Sequence, residues 1–491
     1  MDLLLMAAQS IMSESINDRL KHWLSPLKDF PTPFYLVGGA VRDREMSRPV
    51  TDIDLACQNA QQVAEKLAAE ENVTIVRFLK NPDVPCYRIV NRSNTDDHID
   101  ISEMQGGSIR ADLARRDFTI NAMAVPVLQD GPTDEIIDPF GGISDIEKKR
   151  IRVTGTDAFT DDPLRMLRAV RFCAELGFML SKETDTLIRR DAPLISKIPG
   201  ERIWAELRRI FQDKDSRTFI RLMDKLTLLP AVFPEITAMK TCPQNAHHHL
   251  DVWPHSLAVL AYCEEMINAP AGRFAQSAEL IEAHLAENDR EALLKLAALL
   301  HDVGKPSTRG VNDATGRITF YGHDKAGAGM VTDIARRLRL SKTERKYLVS
   351  LVAEHLHILS LAMPSVKTST RMRLFRKLKE DAISLIIHGA ADVLATRGPQ
   401  SSPAYRTAYL DWAGATLAAF NGTILPRLSP DKTPIRGKDL ISLGISSGPD
   451  MGEILSQIRQ AWDDGDIQDH ADALDLAGKL ISTKKKNRCL T

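Results

Sequence analysis

The sequence predicts an α+β protein, with a mixed α/β head followed by a long all-helical remainder. Three observations carry this expectation. The first 150 residues alternate short β-like runs with helical stretches. From about Asp161 onward nearly every segment has helical periodicity, interrupted by Pro and Gly. At 491 residues the chain exceeds the roughly 250–300 that one core sustains, so several domains are expected.

In chain order, Met1 to Met12 is apolar but lacks a basic flank and a small-residue cleavage site, which suggests a helix packed on the first domain. Phe34–Val37, Asp52–Ala56, Thr74–Phe78, Cys86–Val90 and His98–Ser102 read as strands, and Gln61–Glu71 as a helix. Leu229-Pro-Ala-Val-Phe-Pro234 and Arg397-Gly-Pro-Gln-Ser-Ser-Pro403 read as helix–helix junctions. The basic run Lys484-Lys-Lys-Asn-Arg488 reads as a solvated end. The expected division is a head over 1–150, a helical neck over 151–240, a helical body over 241–400 and a helical tail over 401–491.

Apolar residues make up 43% and charged residues 26%, an ordinary globular balance. No apolar run reaches about 18 residues, so no membrane partner is expected. Net charge is −1, so any nucleic-acid contact must come from local basic surface. Cys57, Cys86, Cys173, Cys242, Cys263 and Cys489 are scattered without a CxxC pair, as expected of reduced thiols in a cytoplasmic protein.

The densest chemistry lies in Tyr35-Leu-Val-Gly-Gly-Ala-Val-Arg-Asp43 and the pair Asp52-Ile-Asp54. Gly38 and Gly39 let backbone amides approach a phosphate, and Arg42 can begin a helix whose guanidinium grips it. Asp52 and Asp54, at i and i+2 of a strand, share a face about 6–7 Å apart. That spacing suits Mg²⁺ held against a triphosphate, which implies phosphoryl or nucleotidyl transfer. Asp100, in the alternating His98-Ile-Asp-Ile-Ser102, is a candidate third carboxylate that takes a proton or completes the metal shell.

The ordered strings GGAVRD, TDIDLA, RRDFTINAMA, IIDPFGG, DDPLRMLRAVRF and GERIWAEL, over residues 34–212, resemble the class II tRNA nucleotidyltransferase and bacterial poly(A) polymerase family. That resemblance implies a polymerase-β-like palm followed by helical neck, body and tail. It implies Asp52 and Asp54 as Mg²⁺ ligands and Gly39 and Arg42 as phosphate contacts. It further implies nucleotide contacts from Arg115, Arg116, Asp117 and Asn121, with tRNA, CTP and ATP as partners and no DNA.

Asp161-Asp-Pro-Leu-Arg-Met-Leu-Arg-Ala-Val-Arg171 reads as a helix start, with Pro163 in the first turn and Gly177 as the stop. Asp162, Arg165 and Arg168 recur every third residue and so share a side. Cytosine and adenine each present an amine beside an unprotonated ring nitrogen. A carboxylate accepts from the first and an arginine donates to the second. Uracil and guanine would leave groups unpaired, at about 1–3 kcal/mol each. The family resemblance assigns that selecting role to Asp162 and Arg165.

A second cluster comprises His255, His301-Asp302, His323, His355 and Asp392. Leu293–Leu300 is an apolar helical run that delivers His301 and Asp302 at its end, before Gly304 and Pro306. Imidazoles with carboxylates suit Ni, Mn, Fe or Zn. The order resembles the HD phosphohydrolase superfamily, which implies a metal centre and a possible phosphatase or cyclic phosphodiesterase. His247-His-His249 reads as a polar loop. The expected activity is addition of CMP and AMP to a tRNA 3′ end. The interval Glu103–Asp112 is shorter than the flexible loop of family members that add all three nucleotides, so CC-only or A-only addition stands as an alternative. Poly(A) polymerase, and then an HD phosphohydrolase with a non-polymerising head, follow behind.

Overall fold

Strand β2 (Ile53–Cys57) sends Ile53, Leu55 and Cys57 to one side and Asp54 and Ala56 to the other, as a two-residue repeat requires. It sits near the middle of a seven-stranded sheet. Its partners are β1 (Phe34–Val37), β3 (Val73–Phe78), β4 (Cys86–Asn91), β5 (Asn94–Glu103), β6 (Ala124–Leu128) and β7 (Gly131–Pro132), in the order β3-β4-β5-β2-β1-β6-β7. The β2–β5 pair is parallel, and the remaining pairs are antiparallel. This computed structural model describes residues 16–28, 30–70, 72–78, 85–128, 131–428 and 434–488, without side chains for 484–488. The expectations for Met1–Met12 and for the Lys484–Arg488 side chains fall outside those residues.

One sheet face is apolar. Leu36, Ile53, Leu55, Ile89, Ile99 and Ile101 meet Ile16, Leu20 and Trp23 of the helix 16–24, and Ala60, Val63, Ala64 and Leu67 of the helix Ala60–Ala68. The i, i+3, i+4 spacing of that second set gives the helix its buried stripe. On the other face Val37, Ala56, Ala122 and Ala124 pack with Ile109 and Leu113 of the helix Ile109–Ala114. The acidic residues Asp54 and Asp100 share that face.

The expected strands all form: Phe34–Val37 keeps its bounds, and the other four shift at one end or both. β5 begins at Asn94 rather than His98, because it folds back on β4 as a hairpin that pairs Asn94 with Asn91 across a register shift before the ladder resumes at His98. β6 and β7 are additions: Pro126 inside Ala124–Leu128 masks the strand signal, yet β6 pairs with β1 along its length. The helix expected at Gln61–Glu71 runs Ala60–Ala68. The interval Glu103–Asp112 folds into a turn at Gln105–Gly107 and the start of the helix Ile109–Ala114, capped by the Ser108 hydroxyl.

The chain divides into two compact units, Met1–Ile198 with Leu222–Val232, and Pro199–Arg221 with Phe233–Thr491. In the first, the helix Arg165–Leu176 ends at Gly177 in the left-handed region (φ +68°), as expected. Asp162 stands just ahead of this helix in extended backbone, off the three-residue repeat expected to set it beside Arg165 and Arg168, and its carboxylate accepts the Leu164 amide at 3.1 Å. The expected junction at Leu229–Pro234 contains the short helix Leu228–Val232. In the second unit, the Arg397–Pro403 turn separates Asp381–Ala395 from Pro403–Ala419, whose start is capped by Ser402. Every residue from Ala382 to Ala395 is buried, so this helix is the axis of the unit.

Candidate active site in the head and metal centre in the helical body

In the head, β-register does the positioning. Asp54 of β2 lies directly opposite Asp100 of β5, so both carboxylates rise from one face of adjacent strands. Asp52 stands just before β2 with its side chain exposed, and His98 Nε2 lies 3.5 Å from its Oδ1. Burial first, then the charges of Asp100 and Asp52, push the Asp54 pKa up to about 6, against the opposing pull of Arg116. A half-buried carboxylate raised by desolvation and by two like charges fits a divalent cation, which would relieve both penalties. Gly38 has φ +70°, and a Cβ there would lie 3.1 Å from Arg116 NH1 and 3.7 Å from Asp54 Oδ2. Glycine therefore keeps the entrance to the acids open. Gly39 opens the helix Gly39–Glu45.

The expected nucleotide contacts are joined by a hydrogen-bond chain. Arg42 NH1 donates to Asn121 Oδ1 at 2.8 Å, and Asn121 Nδ2 donates to Asp117 Oδ1 at 3.1 Å. Arg168 donates Nε and NH2 to Asp117 Oδ2 at 2.8 and 2.5 Å. Burial pushes the Asp117 carboxyl up, but the Arg168 charge and bonds outweigh it and hold the pKa at about 2. Asp117 thus links the two arginines, and its oxygens are already engaged within the protein. The Phe172 ring sits among three guanidiniums, with Arg171, Arg42 and Arg168 at 4.3, 5.3 and 5.5 Å from its centre. Arg116 is steadied by Asp112 at 3.1 Å. Arg165 NH2 donates to the Arg115 carbonyl at 2.7 Å, while the Arg115 side chain is exposed.

Sequence reasoning overlooked Phe172, Asp112 and Arg88. For Phe172, the adjoining Arg171 was the available signal. For Arg88, the signal was its alternation with Ile89 in a strand that pairs with Asp100.

In the body, five helix segments converge. His255 comes from Val252–Asn268, and His301 with Asp302 from the end of Arg290–Leu300. His323 opens His323–Arg337, His355 lies in Lys342–Leu361, and Asp392 in Asp381–Ala395. All six side chains are buried. Two triads, His255–His301–Asp302 and Asp302–His323–His355, bring their ligand atoms within 4.8 Å of one another and share Asp302. Asp392 Oδ1 lies 3.1 Å from His255 Nε2.

The Nδ1 atoms of His301, His323 and His355 face the carbonyls of Ala298, Phe320 and Val352 at 2.9, 2.7 and 2.7 Å. Those carbonyls only accept, so each Nδ1 donates, and in the neutral rings of His323 and His355 Nε2 presents a lone pair. His301, with Nε2 3.1 Å from Asp302 Oδ2, is instead drawn, against the cost of burial, toward its charged form by that carboxylate. His323 Nε2 and His355 Nε2 then face one another at 3.2 Å, a repulsive pairing that a cation between them would convert to attraction. The set fits a metal centre on this observation. Burial and the neighbouring His301 hold the His355 pKa down to about 4, so it stays a neutral ligand near pH 7. Burial raises Asp302, but His301 and Lys305 outweigh it and hold it well below the usual range.

Gly304 explains how this turn reaches its neighbour. A Cβ there would lie 2.2 Å from the His323 carbonyl and 2.5 Å from the Gly327 amide. A cavity of about 790 Å³ opens on Asp302, His323, His355 and Asp392, and its walls include Lys305, Arg317 and Arg406.

The loop reading of His247–His249 holds for backbone, but His248 also lines this cavity with its ring 4.6 Å from that of His255. Lys305 Nζ, 2.7 Å from Asp302 Oδ2, and the buried His388, 5.1 Å from the His301 ring, were not foreseen. His388 precedes Asp392 by one helical turn, and Lys305 follows Asp302 by three residues; those spacings were the signals.

Residues 34–152 match the poly A polymerase head domain, 177–240 the probable RNA and SrmB-binding site of polymerase A, and 252–397 the HD domain. The chain is 32% identical to the A-adding tRNA nucleotidyltransferase of Deinococcus radiodurans, over 90% of this chain and 94% of that protein. It is 29% identical to the multifunctional CCA protein of Xanthomonas campestris, over 87% and 97%. Among solved structures, a CCA-adding enzyme in complex with ATP aligns over 96% of both chains with a TM-score of 0.64 at 22% identity, a likeness of fold. Among the described residues no helix is long and apolar enough to cross a membrane. A head with two facing carboxylates, an arginine chain beside them and relatives matched nearly end to end leave one conclusion: the chain belongs to the class II tRNA nucleotidyltransferase family, as a nucleotidyltransferase that carries an HD domain.

Proposed function

We propose that this enzyme adds CMP and AMP to the 3′ end of tRNA from CTP and ATP, without a nucleic-acid template, in the cytoplasm. The observation that carries the reading is the chain Arg42–Asn121–Asp117–Arg168, which couples a phosphate-gripping arginine to the base-selecting helix. Asp52 and Asp54 would hold Mg²⁺, which supplies charge neutralisation at the α-phosphate. Gly38 and Gly39 leave room for phosphate oxygens, Arg42 and Arg116 offset their charge, and Asp100 completes the metal shell or accepts the proton of the attacking hydroxyl.

Asp162 and Arg165 select the base: the carboxylate that caps Leu164 and the guanidinium that rests on the Arg115 carbonyl turn to the incoming pairing edge. The matched neck, 177–240, holds the tRNA backbone. Incubation with tRNA lacking its terminal nucleotides and labelled CTP or ATP should give incorporation, abolished by Asp52→Ala with Asp54→Ala. No incorporation on any tRNA would refute the reading.

Addition of A alone, or of CC alone, is the second reading. The folded turn and helix over Glu103–Ala114, in place of a long loop, favours it, as does the A-adding relative. Sequencing the ends made from tRNAs that lack one, two or three terminal nucleotides decides between them. The HD body adds a metal-dependent phosphohydrolase, supported by the facing His323 and His355 nitrogens. Its metal, of the Ni, Mn, Fe or Zn type, would supply Lewis acidity and an activated water at Asp302. Lys305 and Arg406 line the cavity that receives the phosphate.

A further inference from the structure

Three strands set three charged side chains in a row across the sheet. Arg88 of β4 is the register partner of Asp100 of β5, and Asp100 is the register partner of Asp54 of β2. Cross-strand partners project to the same face, so the row reads cation, acid, acid. Arg88 donates Nε to Asp100 Oδ1 and NH2 to Asp100 Oδ2, each at 2.7 Å, a fork that engages both oxygens. On the other side, Arg116 stands near Asp54 and Gly38 but is tied to Asp112. The acid that faces Asp54 is therefore already matched by a cation belonging to the protein.

We propose that Arg88 is a resident counter-ion that competes with divalent metal for Asp100, so that the head holds metal weakly until a nucleotide supplies its phosphates as further ligands. A guanidinium cannot be deprotonated, so its repulsion of a second cation is present at every working pH. The triphosphate's negative charge offsets that repulsion. Metal and nucleotide then strengthen one another's binding, by the same factor in each direction. The benefit is order of assembly: metal settles when the substrate does. Arg88 is a positioning residue here, since it acts through Asp100. The inference rests on reading Asp52, Asp54 and Asp100 as metal-holding acids.

The test is Mn²⁺ binding to the full-length protein, read by electron paramagnetic resonance, with and without an α,β-methylene analogue of CTP. Asp54→Asn is the reference: Mn²⁺ that it removes belongs to the head, and Mn²⁺ that it leaves belongs to the body. Without nucleotide, Arg88→Met and the polar Arg88→Gln should each bind head Mn²⁺ about tenfold more tightly than the natural protein, the effect of one removed charge. With the analogue the gain should shrink to less than about threefold. Arg88→Lys, which keeps the charge, should bind like the natural protein.

Unchanged or weaker head binding in the two neutral variants overturns the inference. So does a Lys variant that shifts as far as they do. Should circular dichroism show Arg88→Met unfolded, Arg88→Gln decides alone. If Asp54→Asn removes no Mn²⁺ even with the analogue, the metal reading of the acids fails instead, which is a separate result.

Discussion

Replacing Asp117 by Asn should loosen the two arginines on either side of it. Its carboxylate is buried, with one oxygen accepting from Asn121 and the Phe118 amide and the other from Arg168 twice. The Asp117 pKa of about 2, against 3.8 for an ordinary aspartate, corresponds to roughly 2 kcal/mol of preference for the ionised form in the folded protein. Because the folded value is depressed, that stability is present above about pH 4 and is lost as pH falls toward 2. Asn keeps the shape but not the charge, so the variant should forfeit roughly that 2 kcal/mol at neutral pH.

Hydrogen exchange of the segments 117–122 and 165–172 reports the loss where it occurs. Roughly 30-fold faster exchange is expected there, with the sheet core unaffected. KM for both nucleotides should rise, since Arg42 and Arg168 lose a shared anchor. A cycle with Arg168→Gln should show coupling of about 1 kcal/mol or more. Additive effects, or unchanged exchange in 165–172, would refute the reasoning.

Phe172→Leu keeps the volume roughly but removes the ring under three guanidiniums. At about 0.5–1 kcal/mol for each of Arg42 and Arg168, the two of these cations read as nucleotide contacts, nucleotide KM in steady-state assays should rise some 5- to 30-fold, with a smaller change in kcat. His301→Ala should lower metal content of the body, measured by elemental analysis after dialysis, by about 10-fold or more, while nucleotide addition persists. Loss of both activities together would mean that His301 supports the whole fold. Gly304→Ala places a methyl against the His323 carbonyl, so it should destabilise the second unit by about 1–3 kcal/mol and deplete its metal; an unchanged melting profile would contradict the close approach.

The strands and the two chemical clusters were readable from local patterns. Alternation in Ile53–Cys57 and the glycine pair before Arg42 act over a few residues, and so do the apolar run and the His301-Asp302 pair that ends it. The same holds for the Arg165–Leu176 helix with its Gly177 stop, since a left-handed C-terminal residue is a one-position requirement. Local pattern could not supply partners distant in the chain.

Arg88 opposite Asp100 depends on a hairpin register, and Arg42 reaching Asn121 spans 79 residues. Phe172 beneath Arg42, and His248 against His255, follow from helices and loops meeting in space. The β6 strand stayed hidden because a proline breaks its pattern, while pairing with β1 restores it. Sequence alone thus fixes which residues can do chemistry, because side-chain type and short-range periodicity are local properties. Only the tertiary structure decides which charges neutralise one another, because that depends on distances set by packing across the fold.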